Sequence, residues 1–456
     1  MRRDLLYSIL RPTQRPYDDE EEQPVKRLLK GADILAWEKG AFVCLKNGYL
    51  GIDGDRIDYI GREAPREAYD ETKDMTGKLL LPGLVNGHTH TGMSLLRGLG
   101  SDLPLQKWLF DTIFPVEDRL TDEDLRIGME LSLLEMIASG TTSFTDMYMS
   151  PGYTAKAVLD SGMKANLCRP LQSFDPEEEP MTCRRMQEML ALFDQWNRAG
   201  NGRIQVDFSI HAEYTCTERM VRAAAEEARK RGAGMHIHLS ETALEQQACV
   251  DKYGLTPAQW FDRLGAFDGR AYAAHCVWLT PEDRALLRDR GVVVVHCPES
   301  NLKLGSGVAN VPAMIAEGLT VALGTDGAAS NNNLNMMEEM HLAALLHKGA
   351  QRDPTLLPLQ EVLKMATVHG ARLQGRADTG VLAVGKRADV VAVDMDRPHL
   401  VPCIDPLSNL LYSAQAADVV MTMADGQILY ENGDFLTLDR DRILREARQA
   451  ARRLLG

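Results

Sequence analysis

Apolar and polar positions alternate with different periods in different parts of the chain. From about residue 79 to 380, short apolar runs are separated by stretches with helical periodicity. The two flanks instead carry short apolar runs that are split by turn pairs. Strands that alternate with crossover helices are typical of a parallel sheet. The middle of the chain is therefore predicted to be α/β, and both flanks are predicted to be β-rich.

The middle region contains enough strand and helix units for a closed barrel. The candidate strands cover residues 79–84, 142–145, 165–168, 205–210, 234–239, 271–274, 292–295 and 320–323. The clearest candidate helices lie at 123–139, 218–231 and 281–290. In the second of these, Thr217 is suited to cap the start and Gly232 to end the helix. Eight such units over roughly 250 residues or more predict a (β/α)8 TIM barrel.

The β-rich flanks are marked by turn pairs, and neither flank is long enough for a comfortable domain. Asn47-Gly48 and Asp53-Gly54 are predicted to be hairpin turns, and in the second flank Asp425-Gly426 and Asn432-Gly433 alternate with the apolar runs. We predict that both flanks join into one small β-sandwich and that the barrel is inserted between them.

These patterns give a full division of the chain. Residues 26–78 and 381–438 form the predicted sandwich, 79–380 the barrel, and 439–456 a C-terminal helix. Residues 1–25 contain three prolines and five consecutive acids, so they are predicted to be a mobile tail.

Charge and composition narrow the class of protein. The formal net charge of −14 disfavours nucleic acid and anionic membranes as partners. No apolar run approaches the roughly 20 residues that a membrane helix needs, and the N-terminus does not resemble a signal peptide. Eight scattered cysteines without a CxxC pair favour a reduced, cytoplasmic protein. Barrels of this size often associate, so a homo-oligomer is expected.

Histidines gather at the predicted strand ends. His88 and His90 are two residues apart, so on an extended segment both imidazoles point to one side. Such a pair alone also occurs in loops and cores. However, seven of the 11 histidines lie at or near strand ends, namely His88, His90, His211, His236, His238, His275 and His296. Barrel active sites are built at the C-terminal rim, so a metal site is predicted there.

Two acids accompany these histidines. Asp326 follows the eighth candidate strand, although an Asp-Gly pair is also a common turn. Glu241 lies three residues beyond His238, where it suits a general acid or base, although it could also cap the next helix. On the fifth strand, His238 is nearer the rim and is the better ligand, and His236 is predicted to be a supporting core residue. Imidazoles and a carboxylate are zinc ligands, and zinc lowers the pKa of bound water to about 7.

Several segments carry a family resemblance. Residues 81–90, His238 with Glu241, His275-Cys276, 324–327 and 385–391 resemble the motifs of the amidohydrolase superfamily in order and spacing. The likeness runs from about residue 28 to 435. Within that superfamily, residues 94–99, 108–120 and 328–335 are most similar to the methylthioadenosine/S-adenosylhomocysteine deaminases.

The resemblance implies a metal centre and a division of proton transfers. One zinc ion, with iron(II) as an alternative, would be held by His88, His90, His238 and Asp326. Glu241 would protonate the ring nitrogen, Asp326 would take the proton of the attacking water, and His275 would orient that water. Some relatives hold two metals through a carboxylated lysine after the fourth strand. Here His211 follows that strand, so a single metal is predicted.

The resemblance also implies contacts to a nucleoside. Glu117 would bind the ribose hydroxyls, although the sequence alone favours a solvated residue. Arg169 would meet the carboxylate of S-adenosylhomocysteine, and His211 would make a further contact. Trp108 would stack on or shield the nucleoside, with a core position as the alternative.

The implied reaction is hydrolytic deamination of the adenine ring of S-adenosylhomocysteine, 5′-methylthioadenosine or both. It would give the inosyl product and ammonia. Alternatives within the same chemistry are deaminases of 5′-deoxyadenosine, adenosine, guanine or a triazine, and a hydrolase of a cyclic amide is a further option. A scaffold without activity on the same fold is disfavoured, because every metal and proton-transfer position is present.

Overall fold

The computed structural model describes residues 25–149 and 152–456. The predicted N-terminal tail lies outside the described residues, apart from Val25. The chain forms a mixed α/β structure with two parallel sheets and one larger sheet built from both chain ends. This arrangement confirms the predicted fold class. Within the described residues, no helix is long and apolar enough to cross a membrane. All eight cysteines are free.

Eight positions of the barrel are filled in chain order by parallel strands, numbered here first to eighth. These strands are Leu84–Thr89, Thr141–Met147, Lys164–Cys168 with Pro170–Leu171, Ile204–Val206 with Phe208–Ile210, Met235–Leu239, Ala271–His275, Val293–His296 and Val321–Leu323. The third and fourth strands each break in two, which divides the pairing into a four-stranded and a six-stranded sheet. Every residue of the first, second and fifth strands is buried, as expected for a parallel sheet that is covered on both faces.

Glycines allow the first and eighth strands to meet. A Cβ atom at Gly324 would lie 2.7 Å from the backbone nitrogen of His88, and one at Gly87 would lie 2.9 Å from the Leu323 carbonyl oxygen. Only glycine fits such an approach. The backbone N–H of Asp326 then donates to the His88 carbonyl at 3.0 Å. This junction brings two predicted metal ligands together.

Helices connect the strands and cover the barrel. The longer ones are Asp122–Ala138, Gly152–Ser161, Arg184–Trp196, Glu218–Arg231, Ala243–Tyr253, Pro257–Arg263, Pro281–Arg290, Met336–Gln351, Leu359–Met365, Pro406–Tyr412 and Arg440–Leu455. Shorter helices are Phe114–Glu117, Pro298–Lys303, Val311–Ala316 and Val368–Leu373. The three helices predicted in the middle region are confirmed to within one residue. Thr217 accepts the amide hydrogen of Met220, and Gly232 ends the helix with φ of 64°.

The terminal sheet contains nine strands from both chain ends. They are Lys26–Glu38, Ala41–Asp53, Arg56–Gly61, Glu71–Asp74, Lys78–Pro82, Val390–Asp394, Val419–Ala424, Gln427–Glu431 and Asp434–Phe435. Side chains from both ends, such as Leu50, Ile52, Val390 and Met423, form one hydrophobic cluster that is separate from the barrel core. The hairpin turn predicted at 53–54 is confirmed, and the pairs at 425–426 and 432–433 also lie in hairpin turns.

Two local predictions are wrong. The apolar run 79–84 is not one strand, because Lys78–Pro82 pairs with Val390–Asp394 in the terminal sheet and the first barrel strand begins at Leu84. Both pieces are buried, so hydrophobicity marks no break between them. The change of sheet occurs at Gly83, where a Cβ would lie 2.1 Å from the Thr142 hydroxyl oxygen.

The pair Asn47-Gly48 is not a hairpin turn. It lies inside the strand Ala41–Asp53, where the pairing register shifts opposite Lys26–Glu38. Asn47 adopts φ of 50°, and its backbone N–H donates to the Asp33 carboxylate at 3.2 Å. A bulge and a tight turn need the same left-handed residue types, so the pair alone does not distinguish them.

Candidate active site

Four predicted metal ligands meet at the C-terminal rim of the barrel. Asp326 Oδ1 lies 3.1 Å from His90 Nε2 and 3.4 Å from His88 Nε2. The Nε2 atoms of His90 and His238 are 3.3 Å apart. The side chains come from the first and fifth strands and from the loop after the eighth strand. The barrel therefore assembles, from distant stretches of sequence, a compact set of nitrogen and oxygen donors.

The arrangement of protons in this cluster fits a bound cation. Nδ1 of His238 donates to the carbonyl oxygen of His211 at 2.8 Å, and Nδ1 of His90 donates to the Met147 carbonyl. The Nε2 atoms of both histidines are therefore unprotonated and face each other, so each can offer a lone pair to a cation. Among the described residues, the buried Nε2 of His88 has no hydrogen-bond partner. Three imidazoles and a carboxylate are a donor set that zinc prefers, and the outer hydrogen bonds fix their tautomers.

Burial keeps two of the three imidazoles in the form that binds metal, whereas contact with Asp326 raises the pKa of His90. Burial lowers the pKa of His88 to about 3 and holds the pKa of His238 well below its usual value. Neutral imidazoles are the metal-binding form. His236, predicted to be a supporting core residue, has Nε2 3.0 Å from Nδ1 of His88. It therefore orients the His88 ring from behind.

Asp326 is held in one orientation at the junction of the barrel. Its Oδ2 atom accepts hydrogen bonds from the hydroxyls of Ser300 at 2.6 Å and Ser330 at 2.8 Å, which leaves Oδ1 to face the histidines. Burial alone would raise the pKa of Asp326, but the adjacent imidazoles of His88 and His90 outweigh it and hold that pKa well below the usual value. Its φ of 61° is an uncommon backbone conformation of the kind that clusters at active sites.

Glu241 is free to act in the cavity because other residues cap the adjacent helix. Thr242 is the N-cap of Ala243–Tyr253, and Glu245 completes its capping box. The Glu241 carboxyl accepts a hydrogen bond from Ser306 Oγ at 2.9 Å and lies 3.8 Å from His275 Nε2. Burial raises the pKa of Glu241, although His275 opposes the change. A buried carboxyl with a raised pKa is suited to carry a proton to a substrate.

His275 faces the same point from the end of the sixth strand. Its Nδ1 donates to Asn301 Oδ1 at 2.9 Å, so Nε2 is directed toward Glu241. Burial alone would lower its pKa, but the charges of Glu241 and Asp326 raise it. His275 and Cys276 both have left-handed backbone conformations, with φ of 71° and 52°. This sharp turn at the strand end turns the imidazole over the barrel mouth.

The metal-binding cluster lies at the inner end of a cavity of about 400 Å³. The cavity is lined by nine of the predicted site residues, namely His90, Trp108, Glu117, Arg169, His211, His238, Glu241, His275 and Asp326. His88 does not line it, because the fully buried ring lies behind His90 and His238. A cavity of this size is typical of small-molecule sites.

A π-helical segment forms one wall of the cavity. Trp108–Ile113 is a π-helix, a rare form that is frequent at functional sites, and it continues into Phe114–Glu117. Glu117 accepts a hydrogen bond from the Tyr148 hydroxyl at 2.6 Å, and burial raises its pKa. Trp108 lines the cavity and also packs in a hydrophobic cluster, with its indole N–H donating to Leu99 O at 3.2 Å.

Another part of the cavity wall carries a cation and a neutral histidine. Arg169 lies at the break in the third strand, and its Nε donates to the Glu188 carboxylate at 2.9 Å. His211 follows the fourth strand, with Nδ1 3.0 Å from the Thr215 hydroxyl. Burial lowers the pKa of His211 to about 3. This wall can therefore offer one positive charge and one neutral imidazole to a ligand.

One histidine that lies at a strand end as predicted does not reach the cavity, and sequence reasoning missed several supporting residues. His296 ends the seventh strand, but its ring packs against His347 at a centroid distance of 5.4 Å and does not line the cavity. The missed residues hold the functional carboxyls and imidazoles and lie in the short helix Pro298–Lys303 or in loops, namely Ser300, Asn301, Ser306 and Ser330. Only Glu245 had a local signal, the capping-box spacing from Thr242.

Comparisons with known proteins agree with this geometry. Residues 79–429 match the model described as the Amidohydrolase family. The chain is 45% identical over 436 residues to a 5-methylthioadenosine/S-adenosylhomocysteine deaminase from Acetivibrio thermocellus, covering 94% of this chain and 99% of the relative. It is 44% identical over 429 residues to a 5′-deoxyadenosine deaminase from Methanosarcina acetivorans, covering 94% and 98%. A zinc-bound adenosine deaminase structure from Xanthomonas campestris matches with a TM-score of 0.89 at 33% identity, covering 94% and 98%.

Proposed function

Because the chain belongs to the amidohydrolase family, we propose that it is a zinc-dependent deaminase of adenosine derivatives. Its proposed substrates are S-adenosylhomocysteine and 5′-methylthioadenosine, which would give the inosyl product and ammonia. The similarity to the Acetivibrio thermocellus deaminase over nearly the whole of both chains supports this substrate class.

One observation carries the proposal. A proton-carrying carboxyl, an imidazole and a charged carboxylate, those of Glu241, His275 and Asp326, surround the inner end of one cavity together with the donor cluster. Hydrolytic deamination needs three proton movements around one aromatic carbon. The three side chains have the charge states and the positions to divide that work.

The proposed metal is one zinc ion per subunit, with iron(II) as an alternative. Its ligands would be His88, His90, His238 and Asp326. When bound, such an ion supplies the Lewis acid that makes water a competent nucleophile at neutral pH.

The chain's own side chains carry the remaining steps. Glu241, whose pKa is raised by burial, donates a proton to the ring nitrogen next to the carbon under attack. Asp326, ionised beside two imidazoles, accepts the proton of the attacking water. His275 orients that water and stabilises the negative charge of the adduct. The proton that Asp326 receives leaves with the amino group as ammonia, and the hydroxyl proton of the adduct returns to the Glu241 carboxylate as the ring carbonyl forms.

The cavity walls would select the nucleoside. Glu117 would accept hydrogen bonds from the ribose hydroxyls, and Trp108 would shield the base from water. Arg169 would meet the amino-acid carboxylate of S-adenosylhomocysteine, and His211 would make a further polar contact.

A second candidate substrate is 5′-deoxyadenosine, favoured by the relative from Methanosarcina acetivorans. It shares the adenine and ribose contacts but has no carboxylate for Arg169. Self-association and a cytoplasmic location remain predictions, and light scattering of the purified protein tests the first of them.

The test is a substrate panel on the zinc-loaded protein. We expect ammonia release and the adenine-to-hypoxanthine absorbance change with S-adenosylhomocysteine and 5′-methylthioadenosine. Adenosine, 5′-deoxyadenosine, guanine and a triazine complete the panel. Equal or better turnover of guanine or the triazine would refute the proposed substrate class, and so would opening of a ring.

A further inference from the structure

Two further buried carboxyls, those of Glu245 and Glu213, lie behind Glu241. Glu245 Oε1 accepts the backbone N–H of Ser240, and Oε2 accepts the backbone N–H of Glu241, both at 2.7 Å. The N–H of Thr242 lies 3.4 Å from the same Oε2. One carboxylate therefore holds three consecutive backbone amides, and the middle amide belongs to the proposed proton donor.

This contact differs from the other capping boxes of the barrel helices. In the boxes that begin at Thr121, Thr256 and Thr280, the only backbone N–H that the third helical residue accepts is that of the capping threonine itself. Glu245 reaches two residues further back. The extra bonds hold Ser240, whose φ of 48° is a left-handed conformation that is uncommon for this residue type. The cap thus also fixes the turn that directs Glu241 into the cavity.

Glu213 supports Glu245 from the adjoining loop. It follows His211 by two residues, and its side chain is in hydrogen-bond contact with Glu245. Burial, together with the charge of Glu245, raises the pKa of Glu213. Its Oε2 atom is buried without another hydrogen-bond partner among the described residues, and two buried carboxyls in contact are stable when they share a proton, so Glu213 can donate one to the Glu245 carboxylate. The contact connects the loops after the fourth and fifth strands.

We propose that Glu245 is a positioning residue for the proton donor Glu241 and that Glu213 is its neutral hydrogen-bond donor. The inference rests on the proposed role of Glu241 in deamination. If the turn at Ser240 relaxes, the Glu241 carboxyl leaves Ser306 and His275, and proton delivery fails even though zinc and nucleoside still bind. A displacement of about 1 Å in a reacting group can cost roughly a hundredfold in rate.

The experiment compares four variants of the full-length protein. Glu245→Gln keeps the shape but places an amide N–H₂ against a backbone N–H. Glu213→Gln keeps a neutral donor, and Glu213→Leu removes it. Asp283→Asn weakens the capping box of Pro281–Arg290, which lies outside the cavity, and is the matched control. For each variant, kcat, KM, zinc content and Tm are measured on the substrate that the wild type deaminates fastest.

We expect Glu245→Gln and Glu213→Leu to lower kcat by about tenfold or more, with KM within about threefold and zinc retained. Glu213→Gln should stay within about twofold of the wild type, because a protonated glutamate and a glutamine both donate. Asp283→Asn should lower Tm and leave kcat unchanged.

Two results would overturn the inference. One is that Glu245→Gln has the same kcat as the control Asp283→Asn, and the other is that Glu213→Gln and Glu213→Leu have equal kcat. A crystal structure of Glu245→Gln gives a readout that does not depend on activity, since the Glu241 carboxyl should have left Ser306. If the wild type deaminates nothing, the proposed function fails, and the position of Glu241 in that crystal still decides whether Glu245 holds it.

Discussion

The two ends of the active-site cavity are built from different kinds of structure. At the inner end, His88 and His238 lie within barrel strands, and each ring is fixed through its second nitrogen by a buried partner. At the outer end, Glu117 and Arg169 lie on a short helix and directly after a strand end, with partners from other loops and helices. Closed strand pairing fixes the inner geometry, whereas loops and short helices can change without disturbing the barrel.

This difference suggests separate roles for the two ends. The inner end should govern the reaction with every substrate, and the outer end should govern which adenosine derivative is accepted. Relatives of similar identity that carry different substrate names agree with this division. Substitutions at the two ends should therefore have effects of different kind as well as different size.

The largest effect is expected at Asp326, which would both bind metal and accept a proton. Asp326→Asn should lower kcat by more than about 10⁴-fold for all substrates, because general base catalysis alone supplies up to that much. It should also lower the zinc content measured by elemental analysis. Ser330→Ala, which removes one of the two hydroxyl bonds to Asp326, is the milder control. If Asp326→Asn kept its full zinc content and an activity within tenfold of the wild type, the proposed role of the inner end in the reaction would be contradicted.

Glu241→Gln should come next. We expect kcat to fall by roughly 10²- to 10⁴-fold, with zinc content and KM retained, because the amide cannot donate a catalytic proton. In the wild type, Glu241 must be protonated to act, and burial raises its pKa. Activity should therefore decline as pH rises through that raised pKa, and rate profiles measured against pH should lose this limb in the variant. Persistence of the limb in Glu241→Gln would assign it to another group.

At the outer end, Glu117→Gln should reduce kcat/KM for ribosides by roughly 10- to 100-fold, since a hydrogen bond to a charged group contributes about 1.5–3 kcal/mol. The loss should shrink with a 2′,3′-dideoxy substrate, which has no hydroxyls to bind. Asp118→Asn, on an adjacent residue that also lines the cavity, is the control. The same loss with the dideoxy substrate would mean that Glu117 acts on the fold of the wall.

Arg169→Ala should have a selective effect. We expect kcat/KM for S-adenosylhomocysteine to fall about tenfold more than for 5′-methylthioadenosine, because only the former has a carboxylate for the guanidinium. Arg184→Ala is a matched control, since Arg184 pairs with the same Glu188 but is exposed. An equal loss of kcat/KM on both substrates would mean that Arg169 supports the fold and does not bind the substrate carboxylate.

The smallest effect is expected at His296 and His347, which lie near the rim but outside the cavity. Burial lowers the pKa of His347 to about 4, so below pH 6.5 the unfolded chain takes up a proton that the folded state does not. Stability should fall between about pH 6.5 and 4, by about 2 kcal/mol at pH 5 from this group.

His347→Leu should therefore flatten the dependence of the free energy of unfolding on pH, as measured in urea at pH 7.5 and 5, without changing kcat at neutral pH. His399→Leu removes a partly exposed histidine and is the control. Parallel curves for wild type and His347→Leu would contradict the assignment.

Local sequence signals predicted the barrel well and the supports of the site poorly. The helix Glu218–Arg231 was predictable because Thr217 and Gly232 mark its ends within the sequence itself. The break at Gly83 was not, because buried strands on both sides read as one apolar run.

The same limit applies within the site. The spacing of His88 and His90 indicated a shared direction, and the structure places both rings at the rim. Position at a strand end did not tell which way His296 points, since neighbouring side chains alternate between the two faces. Ser300, Asn301 and Ser306 reach the site from the short helix Pro298–Lys303 and the loop after it, whose positions depend on the assembled barrel. No spacing in the sequence reports such contacts.

The junction of the first and eighth strands has a mechanical consequence. His88 and His90 lie on one side of it and Asp326 on the other, joined by one backbone hydrogen bond and two tightly packed glycines. An ion shared by these ligands would hold the first and eighth strands together where the barrel closes. Removing the ion by chelation should therefore increase the rate of amide hydrogen exchange in these two strands before the rest of the barrel unfolds.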